Sequence, residues 1–481
     1  MSGALWSFSA LVRAMRGRPV GPEPQAIDGI SIDSRTVLPG DAFFAIRGDR
    51  FDGHDFVSSA LGRGAGTAVV STARLAALGR ITGSMVVVDD VLEALRGLGA
   101  AARDRTAAKI IAVTGSAGKT GTKDMLLAAL GRVGRAHGAP ASFNNHWGVP
   151  LTLARMPETT SFGVFEIGMN HAGEIEPLVA LVRPHAAIIT TVEPVHLAAF
   201  AGVEDIARAK AEVLTGIVPG GAAILNRDNP HFDLLRGIAK ELDVERVIGF
   251  GADPGADARL NEVVLEPEGS TVSATILGRE ITYALGVPGR HIVLNSLAVL
   301  AAIAAIDVDL DETAAALATF RAGKGRGERT RLAIAGGDGV LIDESYNANP
   351  ASMRAAFSVL AQTDPLHGGR RVAVLGDMLE LGPEERSLHL GLAEPLMEAG
   401  ADLVFAAGPR MAALWEALPP DRRGVYAETA AELEAAVAEA LGPGDVVMVK
   451  GSNGSRMGPL VDSLKRRFAT TVPQGAAEGT D

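Results

Sequence analysis

Gly115, Ser116, Ala117, Gly118, Lys119 and Thr120 have the residue types of a phosphate-binding loop without its common spacing. The usual pattern is G-x-x-x-x-G-K-[ST]. Here Val113 stands where the first glycine would be, and Gly115 follows two residues later. The loop lies between "KIIAVT", read as a strand, and "KTGTKDMLLAALGRV", read as a helix. In that context backbone N–H groups, including that of Gly121, and the positive end of the helix dipole face an anion. Lys119 then meets the outer phosphates of ATP, and Thr120 offers a hydroxyl to Mg²⁺. The flanking elements favour this over a Gly-rich turn with a surface lysine. The shorter spacing points away from motors, GTPases and kinases of the standard kind.

Other strand ends carry chemistry towards the same edge. "FGVFEIGMNHAGE" places Glu166 at one, and "AAIITTVEPVHLAAF" places His196 just beyond another. Ligands collect at the carboxyl ends of strands in open parallel sheets. A carboxylate and an imidazole beside a triphosphate could complete a metal site, although each alone is more often a capping or packing residue. Lys210 is a third candidate. If "GVEDIARAKAEVLTGIV" is helical, Val203, Ile206, Val213, Leu214 and Ile217 share a face, and Lys210 shares it with them. The ordinary outcome is a lysine that snorkels to the edge. The alternative is a lysine of lowered pKa whose neutral amine reacts with CO₂.

These residues need strands and helices to hold them, and the chain divides accordingly. Residues 1–105 mix short strands ("DAFFAI", "TAVVST", "MVVVDD") with the helix "VLEALRGLGAAARD", after an amphipathic first helix. Residues 106–322 carry the loop. Their short apolar runs read as buried parallel strands separated by helices, followed by an alternating, antiparallel patch from about 244 to 285. "RAGKGRGERTR" (321–331) is a Gly-rich, basic linker candidate. Residues 323–481 alternate strands and helices again, with 470–481 expected to be a disordered tail. The fold class expected is α/β in three domains, with doubly wound, mostly parallel sheets in the central and C-terminal ones.

Composition narrows the function. The 481 residues are too many for one core. Aromatics make up 4% and the net charge is −12, which argue against nucleic-acid binding. There is no cysteine, so disulfides and thiolate metal sites are excluded. No apolar run spans a membrane, and no signal-peptide cleavage pattern is present. A cytoplasmic monomer is expected.

"TGSAGKT", "FEIGMNHAGEI", "VEPVHLAAF…ARAKAEVL", "GRHIVLNSLAVLAA", "DESYNANPASM" and "AVLGDMLELG" occur in the order and spacing of the Mur ligases, and the sequence resembles that family over nearly its whole length. The family's short loop, G-x-x-G-K-[ST], fits Gly115 to Thr120. "DSRTVLPGDAFFAIRGDRFDGHDF" resembles the family's UDP-binding domain, and "SYNANPASM" with "LGDMLELG" resembles the member that adds D-alanyl-D-alanine to UDP-N-acetylmuramoyl-tripeptide. The resemblance implies an ATP-dependent carboxylate–amine ligase working through an acyl phosphate with two Mg²⁺ ions. Lys119 and Arg326 would face phosphate. Thr120, Glu166, His196 and a carbamylated Lys210 would hold metal. His291, Asn295, Asp343 and Tyr346 would contact the nucleotide. Ser34 and Arg35 would contact the uridine nucleotide, Asn144 and Asn145 the muramoyl peptide, and Asn347 and Asn349 the incoming dipeptide. The sequence departs from common family choices at Thr191, Glu193 and Ala198. The alternatives are another amide ligase of the superfamily, third-residue-adding or folylpolyglutamate-like, and a P-loop ATPase that switches a partner protein.

Overall fold

The computed structural model describes residues 4–48, 50–79, 82–195, 197 and 199–469. Its centre is a nine-stranded sheet. Six strands run parallel in the order Ala136–Gly138, Phe162–Glu166, Lys109–Thr114, Ala186–Ile189, Ala222–Asn226 and Arg246–Gly251. Strand Ala258–Glu266 joins parallel to the last, and Gly269–Ile276 and Arg279–Leu285 extend it as antiparallel hairpins. The parallel strands are apolar throughout because helices cover both faces. Alternate residues of one strand enter opposite cores: Ile111 and Val113 face one side, Ile110 and Ala112 the other. From Lys109–Thr114 the chain goes to one edge of the sheet and then crosses back to Ala186–Ile189. The order therefore reverses beside the phosphate loop, where such sheets open a crevice.

The N-terminal sheet has five strands, ordered Arg18–Val20, Met85–Val88, Thr67–Ser71, Asp41–Phe44 and Gly29–Ser31, and only the first pairing is antiparallel. Helix Val91–Asp104 starts where the Asp90 carboxylate accepts the N–H groups of Leu92 and Glu93 at 2.8 and 2.9 Å. Its Leu95, Leu98 and Ala102 pack with Leu151 and Ala154 of the central domain. The seam is closed by polar groups. Arg105 lies 3.4 Å over the Trp6 ring and donates to the carbonyls of Leu5 and Met156. Trp6 Nε1 donates to the Ala154 carbonyl. The first helix is shorter than its sequence pattern suggests: Ser7 caps it, and it covers only Phe8–Ala14.

The C-terminal sheet orders Glu328–Ile334, Gly337–Glu344, Val446–Lys450, Arg371–Gly376, Leu403–Ala407 and Arg423–Ala427, with the first pair antiparallel. The linker is shorter than residues 321–331. Glu328 to Arg331 already pair with Asp343 to Val340 in a strand, and Lys465 holds Glu328 at 2.6 Å. What remains is a turn in which Arg326 N–H donates to the Gly323 carbonyl. No helix among the described residues is long and apolar enough to cross a membrane.

Arg105→Met removes two charge-assisted hydrogen bonds and the ring contact while keeping the side-chain length. We expect a loss of about 2 kcal/mol at the seam, seen in denaturant melts as earlier unfolding of the N-terminal domain. An unchanged midpoint would show that the seam does not depend on this residue.

Candidate active site

The phosphate loop is shaped by two glycines. Gly115 has φ +147°, and a Cβ there would run into the Thr190 hydroxyl. Gly118 has φ +81°, and a Cβ would lie 2.5 Å from Asn295 Nδ2. Only glycine meets both demands. Between them Ser116 is clamped: its hydroxyl accepts from Glu193 N–H at 2.9 Å and reaches the Glu193 carbonyl at 3.1 Å, and its own N–H donates to the Thr191 carbonyl. The Thr191 hydroxyl donates to the Glu193 carboxylate. Two of the three departures from common family choices, Thr191 and Glu193, thus meet each other at the loop, and Ala198 lies outside the described residues. Helix Lys119–Leu130 leaves the loop with its N-terminus towards a cavity of about 530 Å³ between the central and C-terminal domains, a size that suits a nucleotide.

Five side chains converge at that N-terminus. The Thr120 hydroxyl donates to Glu166 Oε2 at 2.7 Å, and Asn144 Nδ2 donates to Glu166 Oε1 at 2.7 Å. Ser142 Oγ lies 3.1 Å from Thr120 Oγ1 and accepts from Arg326 Nη2 at 2.8 Å. Arg326 stacks on Tyr346, 3.9 Å from its ring centre. Glu166 with the Thr120 hydroxyl is an all-oxygen set suited to Mg²⁺, which keeps waters and substrate oxygens for its other positions. Among the described residues no cluster of three or more His, Cys, Asp or Glu could hold a metal by itself. His196 lies outside the described residues.

Lys119 donates to the Gly115 carbonyl at 2.8 Å. It is half-buried on the cavity wall. Burial pulls its pKa below the usual lysine value, Glu166 opposes that, and Arg326 adds to it. Lys210 is only 2% exposed and falls on the buried face of helix Val203–Ala211. It does not snorkel. It has no hydrogen bond or ion pair among the described residues, and burial, reinforced by the Lys119 charge, holds its pKa well below the usual value. The structure thus places Lys210 as a buried amine within electrostatic reach of Lys119.

The C-terminal domain supplies the opposite wall. Tyr346, Asn347 and Asn349 line the cavity, as do His291 and Asn295 of the central domain. Burial lowers the His291 pKa. Asp343 is fully buried instead: its carboxylate accepts from Gly325 N–H, Ser345 N–H and the Ser345 hydroxyl, so it braces the interdomain turn. Asn349 caps helix Pro350–Gln362 and Asn145 accepts from Gly148 N–H, and neither amide nitrogen has a hydrogen bond among the described residues. Ser34 and Arg35 lie apart from the cavity, beyond strand Gly29–Ser31 of the N-terminal domain, where Arg35 pairs with Asp33 at 2.6 Å.

Sequence reasoning missed Ser142, Glu344 and Lys450. Lys450 is 2% exposed on the cavity wall, 3.3 Å from Glu344 and 3.1 Å from the Asn347 carbonyl. A signal existed in "VVMVKGS", where a lysine ends an otherwise apolar strand.

Three family models match: "Mur ligase family, catalytic domain" at residues 26–103, "Mur ligase middle domain" at 113–303, and "Mur ligase, glutamate ligase domain" at 325–453. The UDP-N-acetylmuramoyl-tripeptide--D-alanyl-D-alanine ligase of Bacillus subtilis is 35% identical over 447 residues, 92% of this chain and 94% of the relative. The protein of that name from Escherichia coli is 34% identical over 408 residues, covering 85% and 87%. A crystal structure of MurF from Acinetobacter baumannii superposes with a TM-score of 0.82 at 32% identity, covering 96% of this chain and 99% of that one.

The state of Lys210 is open to measurement. In CO₂-depleted buffer the folded protein binds its proton less readily than the unfolded chain, so stability rises with pH up to the free-lysine range near about 10.4. Lys210→Met removes that penalty and should be more stable at neutral pH by on the order of 1–3 kcal/mol. The gap should narrow as pH rises. Denaturant midpoints at neutral pH and near the free-lysine pKa of about 10.4 check this, and a gap independent of pH would contradict a buried amine of lowered pKa.

Proposed function

The chain belongs to the Mur ligase family, and from that premise we infer that it joins D-alanyl-D-alanine to UDP-N-acetylmuramoyl-tripeptide at the expense of ATP, in cytoplasmic peptidoglycan precursor synthesis. The observation that carries the reading is the convergence of Lys119 and Arg326, from two domains, on the Thr120–Glu166 pair at a helix N-terminus. The relatives with full-length similarity carry that activity in their names. We take a monomer as the working unit.

The chemistry follows from a leaving-group problem. A carboxylate cannot expel oxide, so the terminal carboxylate of the tripeptide is phosphorylated first. The amine of the dipeptide then attacks the acyl phosphate, a tetrahedral intermediate forms, and phosphate leaves. The first step brings two anions together, and fixed positive charge lowers that barrier. Lys119, held by the Gly115 carbonyl, and Arg326, held by Ser142 and Tyr346, supply that charge from opposite sides. Mg²⁺ bound at Thr120 and Glu166, with His196 and a carbamylated Lys210 as further ligands, would add charge neutralisation at the phosphates. Tyr346, Asn347 and Lys450 close the far wall and shield the acyl phosphate from water. The bracing of Gly325 by Asp343 makes this turn the natural hinge for closure.

With ATP, Mg²⁺, the UDP-muramoyl tripeptide and D-alanyl-D-alanine, ADP and phosphate should form only when all components are present. Phosphate release independent of both substrates would favour the partner-switching ATPase. Release supported by a different amine or acid would favour another ligase of the superfamily.

A further inference from the structure

Arg326 presents an electrostatic difficulty. It stands near enough to Lys119 to depress that lysine's pKa, and neither cation forms an ion pair among the described residues. Among the described residues no carboxylate pairs with the guanidinium. Two neutral groups hold it: the Tyr346 ring face at 3.9 Å and the Ser142 hydroxyl at 2.8 Å.

Counting protons orients the rest. The Thr120 hydroxyl has one proton, and it goes to Glu166 Oε2 at 2.7 Å. In the 3.1 Å contact between Ser142 and Thr120, Ser142 is therefore the donor, and its lone pairs are left to accept from Arg326. The result is a directed chain: Arg326 to Ser142 to Thr120 to Glu166, with a cation at one end and a carboxylate at the other. Each bond polarises the next.

The segment that carries Ser142 is anchored independently. Lys123, fully buried on the loop helix, donates to the Ala139 carbonyl at 2.7 Å and pairs with Asp124 at 2.9 Å. Gly168 N–H donates to the Asn144 carbonyl, and the Phe143 and Trp147 rings meet edge-on. Ser142 is thus held to the central domain while it grips a residue of the interdomain turn.

We propose that Ser142 is a positioning residue: it holds Arg326 aimed at the phosphate loop before nucleotide arrives and couples closure of the C-terminal domain to the Thr120–Glu166 pair. The proposal rests on the ligase reading for its kinetic test, but its binding test does not. Arg326 has five N–H donors and Ser142 accepts one of them, so the others remain for an anion.

Ser142→Ala should lower kcat/KM for ATP about tenfold, the worth of one hydrogen bond to a charged group. KM for the peptide and dipeptide substrates should stay within about twofold, and Ser142→Thr, which keeps the hydroxyl, should recover most of the loss. In an Arg326→Met background, Ser142→Ala should have a much smaller effect, because only its bond to Thr120 is left to lose. Calorimetry with AMP-PNP and with ADP gives the same cycle without turnover: Ser142→Ala should weaken the triphosphate analogue about tenfold and leave ADP nearly unchanged, only while Arg326 is present. Parental behaviour in Ser142→Ala would overturn the proposal. So would an equal loss with and without Arg326, or a parallel rise in KM for the peptide substrate, which would mark a general disordering of the loop. If the parent protein forms no ADP with its substrates, the ligase reading fails, and the AMP-PNP cycle still decides the role of Ser142.

Discussion

Three basic side chains, Lys119, Lys210 and Arg326, are gathered around one phosphate loop, and none of them forms an ion pair among the described residues. Holding like charges together without their anion is the constraint on which the site depends. The fold meets it in three different ways. Lys119 rests on the Gly115 carbonyl. Lys210 is buried, and that burial holds its pKa well below the usual lysine value. Arg326 comes from another domain and is held by a hydroxyl and a ring face. The uncompensated positive charge is then available to a second anion, which is what bringing a carboxylate against a phosphate requires.

The architecture supplies the geometry. The strands Lys109–Thr114, Phe162–Glu166 and Ala186–Ile189 are neighbours in a parallel sheet, so their carboxyl ends open on one edge. The loop, Glu166 and the Thr190–Glu193 segment therefore meet without any long-range adjustment. The N-terminal domain is fastened to this frame by Trp6, Arg105 and helix Val91–Asp104, whereas the C-terminal domain is joined through the short turn around Gly325. The rigid seam and the narrow turn place mobility on the side of the cavity where a nucleotide must enter and leave.

Much of this was legible in the sequence. The apolar strands and Gly115–Thr120 are local patterns, and the buried face that includes Lys210 follows from helical spacing alone. What was not legible has physical reasons. Glu328 to Arg331 look like linker because their composition is charged, but each is a strand residue stabilised by pairing with a later strand. Asp343 has the residue type of a ribose contact, and its carboxylate accepts from Gly325 and Ser345 of the turn, which no local pattern announces. Ser142 had no local signal: its partner Arg326 is 184 residues away, and a lone serine in a loop says nothing about what it will hold.

The central claim is that this gathered charge serves to transfer phosphate to a carboxylate. The direct measurement is the fate of oxygen. A UDP-muramoyl tripeptide labelled with ¹⁸O in its terminal carboxylate is turned over with unlabelled ATP and D-alanyl-D-alanine, and the released phosphate is examined by mass spectrometry. An acyl phosphate requires that each phosphate carry one labelled oxygen from the peptide. Phosphate free of label, formed alongside the ligated product, would contradict the account.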